Sequence, residues 1–183
     1  MLALEKAFLI GVEGVTEIWL VRHGDCYRDM TDAEDPPLSA LGREQSHRLA
    51  ARVNRARPDA VYSSPYRRAM ETARMMSADL HVDQRLIEMP LVIAEDGRLD
   101  FQETPESAVT RMRAVVDDIV ATHPGRRVIV VSHAASIIAC LTDALHLEPG
   151  RLRLFPYYTS VSVMRVLGDV RMVGTIGDVA HLE

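Results

Sequence analysis

Two histidines stand where chemistry is easiest to place. His23 follows the apolar run Thr16–Val21 and lies between Arg22 and Gly24, while His133 follows the β-branched run Val128–Val131 and Ser132. An imidazole titrates near neutral pH, so a histidine at the exit of a strand can act as acid, base or nucleophile. A third polar group, the Ser63-Ser64 turn, follows the short run Ala60–Ser63. Taken singly, none is specific, because an isolated histidine after a strand is more often a hydrogen-bonded loop residue than a nucleophile.

The elements that must position these groups alternate along the chain. Thr16–Val21 predicts a buried strand, Asp25–Pro37 a loop, and Ser39 the cap of a helix from Ala40 to about Ala56. Ala60–Ser63 predicts a second strand, with Ser64 as N-cap and Pro65 at the first position of a helix reaching about Ala78. His81–Leu86 reads as a third strand and Glu88–Gln102 as a connecting segment. A helix follows over Pro105–Thr122, with Val109, Met112, Val116, Ile119 and Val120 on or beside one stripe. Val128–Val131 has the character of a central strand covered on both faces. Ser160–Leu167 and Val170–Ile176 flank Gly168-Asp169 as an antiparallel hairpin. This order implies an α/β fold, a three-layer α/β/α sandwich on an open, mostly parallel sheet with an antiparallel edge hairpin. Ligands bind such sheets beyond the carboxyl ends of the strands, where His23, Ser63-Ser64 and His133 would meet.

Further motifs in a fixed order make the pattern specific. They are Leu20-Val21-Arg22-His23-Gly24; Asp35-Pro36-Pro37-Leu38-Ser39 with Gly42 and Gln45; Ser63-Ser64-Pro65-Tyr66-Arg67-Arg68-Ala69 with Thr72-Ala73; Leu86-Ile87-Glu88; Pro105-Glu106-Ser107; Val131-Ser132-His133; Thr159–Val163; and Gly177–Leu182. From about Glu17 to Leu182 the chain resembles the histidine phosphatase superfamily, specifically its phosphoglycerate-mutase-like branch.

That resemblance implies a hydrolase acting on phosphomonoesters through a phosphohistidine at His23. A phosphomonoester near neutral pH carries close to two negative charges, so an uncharged imidazole suits the attack on phosphorus. Arg22 and Arg68 are then the guanidinium forks that hold the phosphoryl oxygens. Neighbouring residues diverge by roughly 100° around a helix, so Arg67 is left for the surface or the substrate rim. His133 would touch the phosphate, and the N–H groups of Ala134 and Ala135 would face it from a helix N-terminus. The resemblance places the proton donor at Glu88, whose carboxyl a nearby phosphate would keep protonated. It implies no metal and no other cofactor. Alternatives are a phosphoglycerate mutase, a protein phosphohistidine phosphatase and a non-catalytic module that binds phosphorylated ligands.

The chain also departs from the family's pattern. Asp25-Cys26 follow the signature, and Asp29 stands about where an asparagine would contact phosphate. Ala134-Ala135 replace a glycine pair, and Tyr158 stands where an asparagine often precedes the late strand. Only Met89–Thr104 separates Glu88 from the next helix, which implies a short lid and favours hydrolysis over isomerisation, since a mutase must shield its intermediate from water.

Composition bounds the rest. With 183 residues, 48% of them hydrophobic, the chain suits a single domain over 1–183, with 1–14 as an N-terminal extension packing on it. A net charge of −5 argues against a nucleic-acid surface, and no apolar stretch is long enough to cross a bilayer. Cys26 and Cys140 form no C-x-x-C pair, which fits a reduced, cytoplasmic setting. The expected partner is a small phosphorylated substrate, with a phosphoprotein as the alternative; a homodimer is compatible with the sequence.

Overall fold

The computed structural model describes residues 3–27, 35–93, 99–149 and 151–183. A short helix α1 (Ala3–Ala7) precedes β1 (Thr16–Arg22), and Leu9 between them is buried while Phe8 and Ile10 are exposed. Helix α2 (Ala40–Ala56) opens on Ser39, whose side chain accepts the Gly42 N–H, and leads to β2 (Ala60–Ser63). Then come α3 (Arg67–Arg74), β3 (His81–Val82), β4 (Leu91–Ile93) and β5 (Leu99–Phe101). Helix α4 (Pro105–Thr122) is capped by Thr104 with proline in its first turn. It is followed by β6 (Arg127–Ser132), α5 (Ala134–Ala144) and the hairpin of β7 (Val161–Leu167) and β8 (Val170–Asp178).

One six-stranded sheet runs in the order β3-β2-β6-β1-β7-β8. β3, β2, β6 and β1 pair in parallel, whereas β7 pairs antiparallel to both β1 and β8. The alternation of side chains along β6 assigns the two layers. Val128 and Val130 pack into a cluster with Met112, Val116 and Ile119 of α4 and Ile137 and Leu141 of α5. Ile129 and Val131 pack into the other, with Leu49 and Val53 of α2 and Ala69 and Ala73 of α3. The three-layer arrangement expected from the sequence is present.

Three local expectations are corrected. Helix α3 starts at Arg67 behind Tyr66, not at Pro65, and ends at Arg74, short of Ala78. Ser64 is not its cap, because its hydroxyl accepts the Tyr66 N–H and faces His133 instead. The strand expected over His81–Leu86 has two residues, since the Asp83 side chain accepts the Arg85 N–H and starts a 3-10 turn over Gln84–Leu86. The connecting segment after Glu88 contains the small antiparallel pair β4–β5, which the shortness of its strands hid from periodicity. No helix among the described residues is long and apolar enough to cross a membrane.

Candidate active site

Strand register decides which groups meet. Arg22 at the end of β1 pairs with Ser132 at the end of β6, and the His23 N–H donates to the Ser132 carbonyl at 3.0 Å. His23 and His133 therefore leave the sheet side by side, with ring centroids 5.1 Å apart. On the far side of β6, Ser63 pairs with Val131 and the Ser64 N–H donates to the Val131 carbonyl. That brings the Ser64 hydroxyl within 2.8 Å of His133 Nε2. His133 Nδ1 is buried and has no hydrogen-bond partner among the described residues.

The protonation of His23 follows from its contacts. Nδ1 lies 2.7 Å from the Gly24 carbonyl, which can only accept, so Nδ1 carries the proton and Nε2 presents its lone pair. The Arg68 Nε–H donates to that Nε2 at 3.2 Å. Burial, with Arg68 and then Arg22 adding positive charge, pulls the imidazole down to about 3, against the pull of the Gly24 hydrogen bond, so it is neutral at pH 7. His133 is likewise held well below the usual histidine range by burial, with His23 and Arg68 as the next causes.

Both expected guanidiniums reach this end of the sheet. Arg22 is buried, donates from Nη1 to the Pro156 carbonyl at 2.7 Å, and lies 3.9 Å from the ring centre of Tyr158. Arg68 is buried in the first turn of α3 and donates from Nη1 to Asp35 at 3.1 Å. Its neighbour Arg67 points outward to Glu71, as the helical angle between them requires. Asp35 also accepts the Arg67 backbone N–H, and the sequence motifs do not assign this carboxylate a place beside Arg68. An acidic residue two before the Pro-Leu pair was the available signal.

Glu88 is fixed through the backbone that precedes it and through its own carboxylate. The carbonyls of Arg85, Leu86 and Ile87 accept from Arg111, Ser132 and Ser136 respectively. Glu88 Oε1 accepts the N–H groups of Met89, Ala135 and Ser136, at 3.0, 3.1 and 3.3 Å. The Ala135 N–H, expected at the phosphate, is thus committed to Glu88, with Ala134 buried beside it at the start of α5. Burial outweighs these hydrogen bonds and the charges of Arg68 and Arg22, so the carboxyl sits above its usual range.

The loop after His23 is packed without slack. A β-carbon on Gly24 would come within 2.6 Å of the Gly42 carbonyl and 2.7 Å of Ser46 Oγ, so the start of α2 sits directly against the signature. The Gly24 N–H donates to Thr72 Oγ1, and the Asp25 N–H to Gln45. Asp25 turns its carboxylate to the Ser39 hydroxyl at 2.6 Å, where it supports the α2 cap. Cys26 pairs by backbone with Leu38, and Asp29 lies outside the described residues. Ser160 is buried, and among the described residues its hydroxyl has no hydrogen-bond partner. Among the described residues, no group of three His, Cys, Asp or Glu side chains is arranged to hold a metal.

The model of the histidine phosphatase superfamily, branch 1, matches residues 18–178. The chain belongs to the histidine phosphatase superfamily. Within that family it is 27% identical to the probable phosphoglycerate mutase GpmB of Proteus mirabilis, over 91% of this chain and 94% of the relative. That alignment extends over 207 positions, more than the 183 residues of this chain, so the relative carries segments that this histidine phosphatase lacks. Among solved structures it resembles phosphoserine phosphatase of Entamoeba histolytica bound to 3-phosphoglyceric acid, with a TM-score of 0.78 at 18% identity over 92% of this chain and all of that one. It also resembles mycobacterial glucosyl-3-phosphoglycerate phosphatase, with a TM-score of 0.73 at 20% identity over 88% and 98%. At these identities the structures show the shared fold.

Proposed function

We propose that the protein is a metal-independent phosphomonoesterase that acts on a small phosphorylated substrate through a phosphohistidine at His23. The observation that carries this reading is the orientation of His23: Nδ1 is held by the Gly24 carbonyl, which leaves an uncharged Nε2 against the Arg68 fork and beside His133.

In the first half-reaction Arg22 and Arg68 hold the phosphoryl oxygens, and the unpartnered His133 Nδ1 gains a partner in one of them. The Nε2 lone pair forms a bond to phosphorus as the ester P–O bond breaks. Because Glu88 Oε1 already accepts three N–H groups, the proton for the departing oxygen is carried on Oε2. In the second half the ionised Glu88 takes a proton from water, the hydroxyl oxygen bonds phosphorus, and the N–P bond returns its electron pair to His23 Nε2. Inorganic phosphate leaves.

Hydrolysis of p-nitrophenyl phosphate by wild type and His23→Ala, in the presence of a chelator, tests the reading. Activity confined to the wild type, with an acid-labile phosphohistidine trapped on quenching, supports it; equal rates in the two proteins refute it. The resemblance to probable phosphoglycerate mutases favours a second reading, isomerisation of phosphoglycerate. Incubation with 3-phosphoglycerate separates the two, since a phosphatase releases inorganic phosphate and a mutase yields the isomer. Cys26 and Cys140 form no disulfide with each other, which suits work in a reduced, cytoplasmic compartment.

A further inference from the structure

The end of the sheet that carries His23 bears more aromatic surface than phosphoryl transfer uses. Phe155 is 74% exposed, yet its ring centre lies 4.7 Å from the guanidinium carbon of the buried Arg22. Tyr158 lies 3.9 Å from the same carbon and 5.7 Å from the His23 ring. Across the site, Tyr66 lies 4.9 Å from the Arg68 guanidinium carbon and 5.1 Å from the His133 ring. Each of the four side chains assigned to the phosphoryl group or its attack thus has an aromatic ring against it. A lone exposed apolar residue is ordinary on a protein surface. Phe155 differs because its exposed ring touches a buried arginine of the site.

The charges around the site point the same way. A leaving group with its own carboxylate calls for a second cation, and two of the described arginines, Arg67 and Arg111, already commit their guanidiniums to Glu71 and Glu103, both at 2.8 Å. A flat uncharged ring needs no such partner. It can stack against Phe155 or meet it edge to face, burying apolar area on both sides.

We propose that Phe155, Tyr158 and Tyr66 form an aromatic collar that receives the leaving group, and that the preferred substrates are phosphomonoesters whose alcohol carries a flat, uncharged ring. This rests on the phosphomonoesterase reading above and adds the substrate class to it.

The test compares 2-phenylethyl phosphate with ethyl phosphate, whose alcohols are close in acidity, so that the ring is the main difference. In wild type, kcat/KM is expected to favour the phenylethyl ester by about tenfold, chiefly through KM. In Phe155→Ala that ratio falls by about threefold or more, and Phe155→Tyr restores most of it. A wild-type ratio near one overturns the collar without needing any variant to fold. So does a ratio that Phe155→Ala leaves unchanged, or a higher kcat/KM for 3-phosphoglycerate than for the phenylethyl ester. Failure of the phosphatase reading itself looks different: neither ester is turned over faster by wild type than by His23→Ala.

Discussion

Arg68 Nε donates to His23 Nε2 across 3.2 Å, so one guanidinium touches the lone pair proposed to attack phosphorus and belongs to the fork proposed to hold the phosphoryl oxygens. When a phosphoryl group arrives, Arg68 has to exchange this bond for one to an oxygen. Removing the fork in Arg68→Ala is expected to lower kcat/KM by about 10²–10³, as for loss of a preorganised donor to a developing charge. Arg68→Lys should recover only part, because an ammonium cannot reproduce two parallel N–H donors. Steady-state kinetics on p-nitrophenyl phosphate decides, and full activity in the lysine variant would contradict the role given to the fork.

Glu88 is expected to set the alkaline side of the pH profile. Burial raises its carboxyl, the acid form is the competent one for protonating the leaving group, and kcat/KM for an alkyl phosphate should therefore fall as pH rises through that raised value. Glu88→Gln should lose about 10²–10⁴ in rate toward alkyl phosphates and lose the descending limb as well. The loss should be smaller for p-nitrophenyl phosphate, whose phenolate departs without a proton. An unaltered profile in Glu88→Gln would assign the limb to another group.

The two site histidines should make the fold sensitive to acid. An unfolded imidazole takes up its proton near 6.5, whereas folded His23 does so only at about 3, so between these values the unfolded chain binds the extra proton. The stability is full above 6.5 and is lost as pH falls toward 3, at up to about 1.4 kcal/mol per pH unit for each such group. His133, shifted in the same direction, adds to the loss. Urea unfolding at pH 7.5 and pH 5 should show a larger drop for wild type than for His133→Gln; equal drops would mean that His133 does not contribute.

Gly24 and Gly42 should tolerate no side chain. Gly24→Ala drives a methyl against the Gly42 carbonyl and Ser46, and Gly42→Ala drives one against the Asp25 carbonyl, which is backbone and cannot turn aside. Each should cost roughly 1–3 kcal/mol in urea unfolding, with Gly42→Ala the worse. Gly24→Ala should also reduce turnover, because His23 Nδ1 is held by the Gly24 carbonyl that would be displaced.

Most of the sheet was legible because its strands announce themselves. Val128–Val131 is apolar on both faces, and the structure divides those faces between α4 with α5 and α2 with α3. His23, His133 and Arg68 could be located because each stands directly after a strand or one helical turn beyond it. What the sequence hid depends on side chains that are distant in the chain. Ser64 reads as a helix cap by type and position, yet its hydroxyl is taken by His133, and only the pairing of β2 with β6 brings the two together. The Ala135 N–H reads as a phosphate donor until Glu88 is seen to fill the helix start. The β4–β5 pair, with three residues on each side, is too short for alternation to stand out.

The fastening of the carbonyls of Arg85, Leu86 and Ile87 to α4, β6 and α5 has a consequence for how such an enzyme can diversify. The proton donor proposed at Glu88 is held through the residues just before it, and among the described residues none of these three fastenings draws on the β4–β5 pair. The hairpin that follows can be lengthened, trimmed or recoloured over generations to suit a new metabolite while the acid keeps its station.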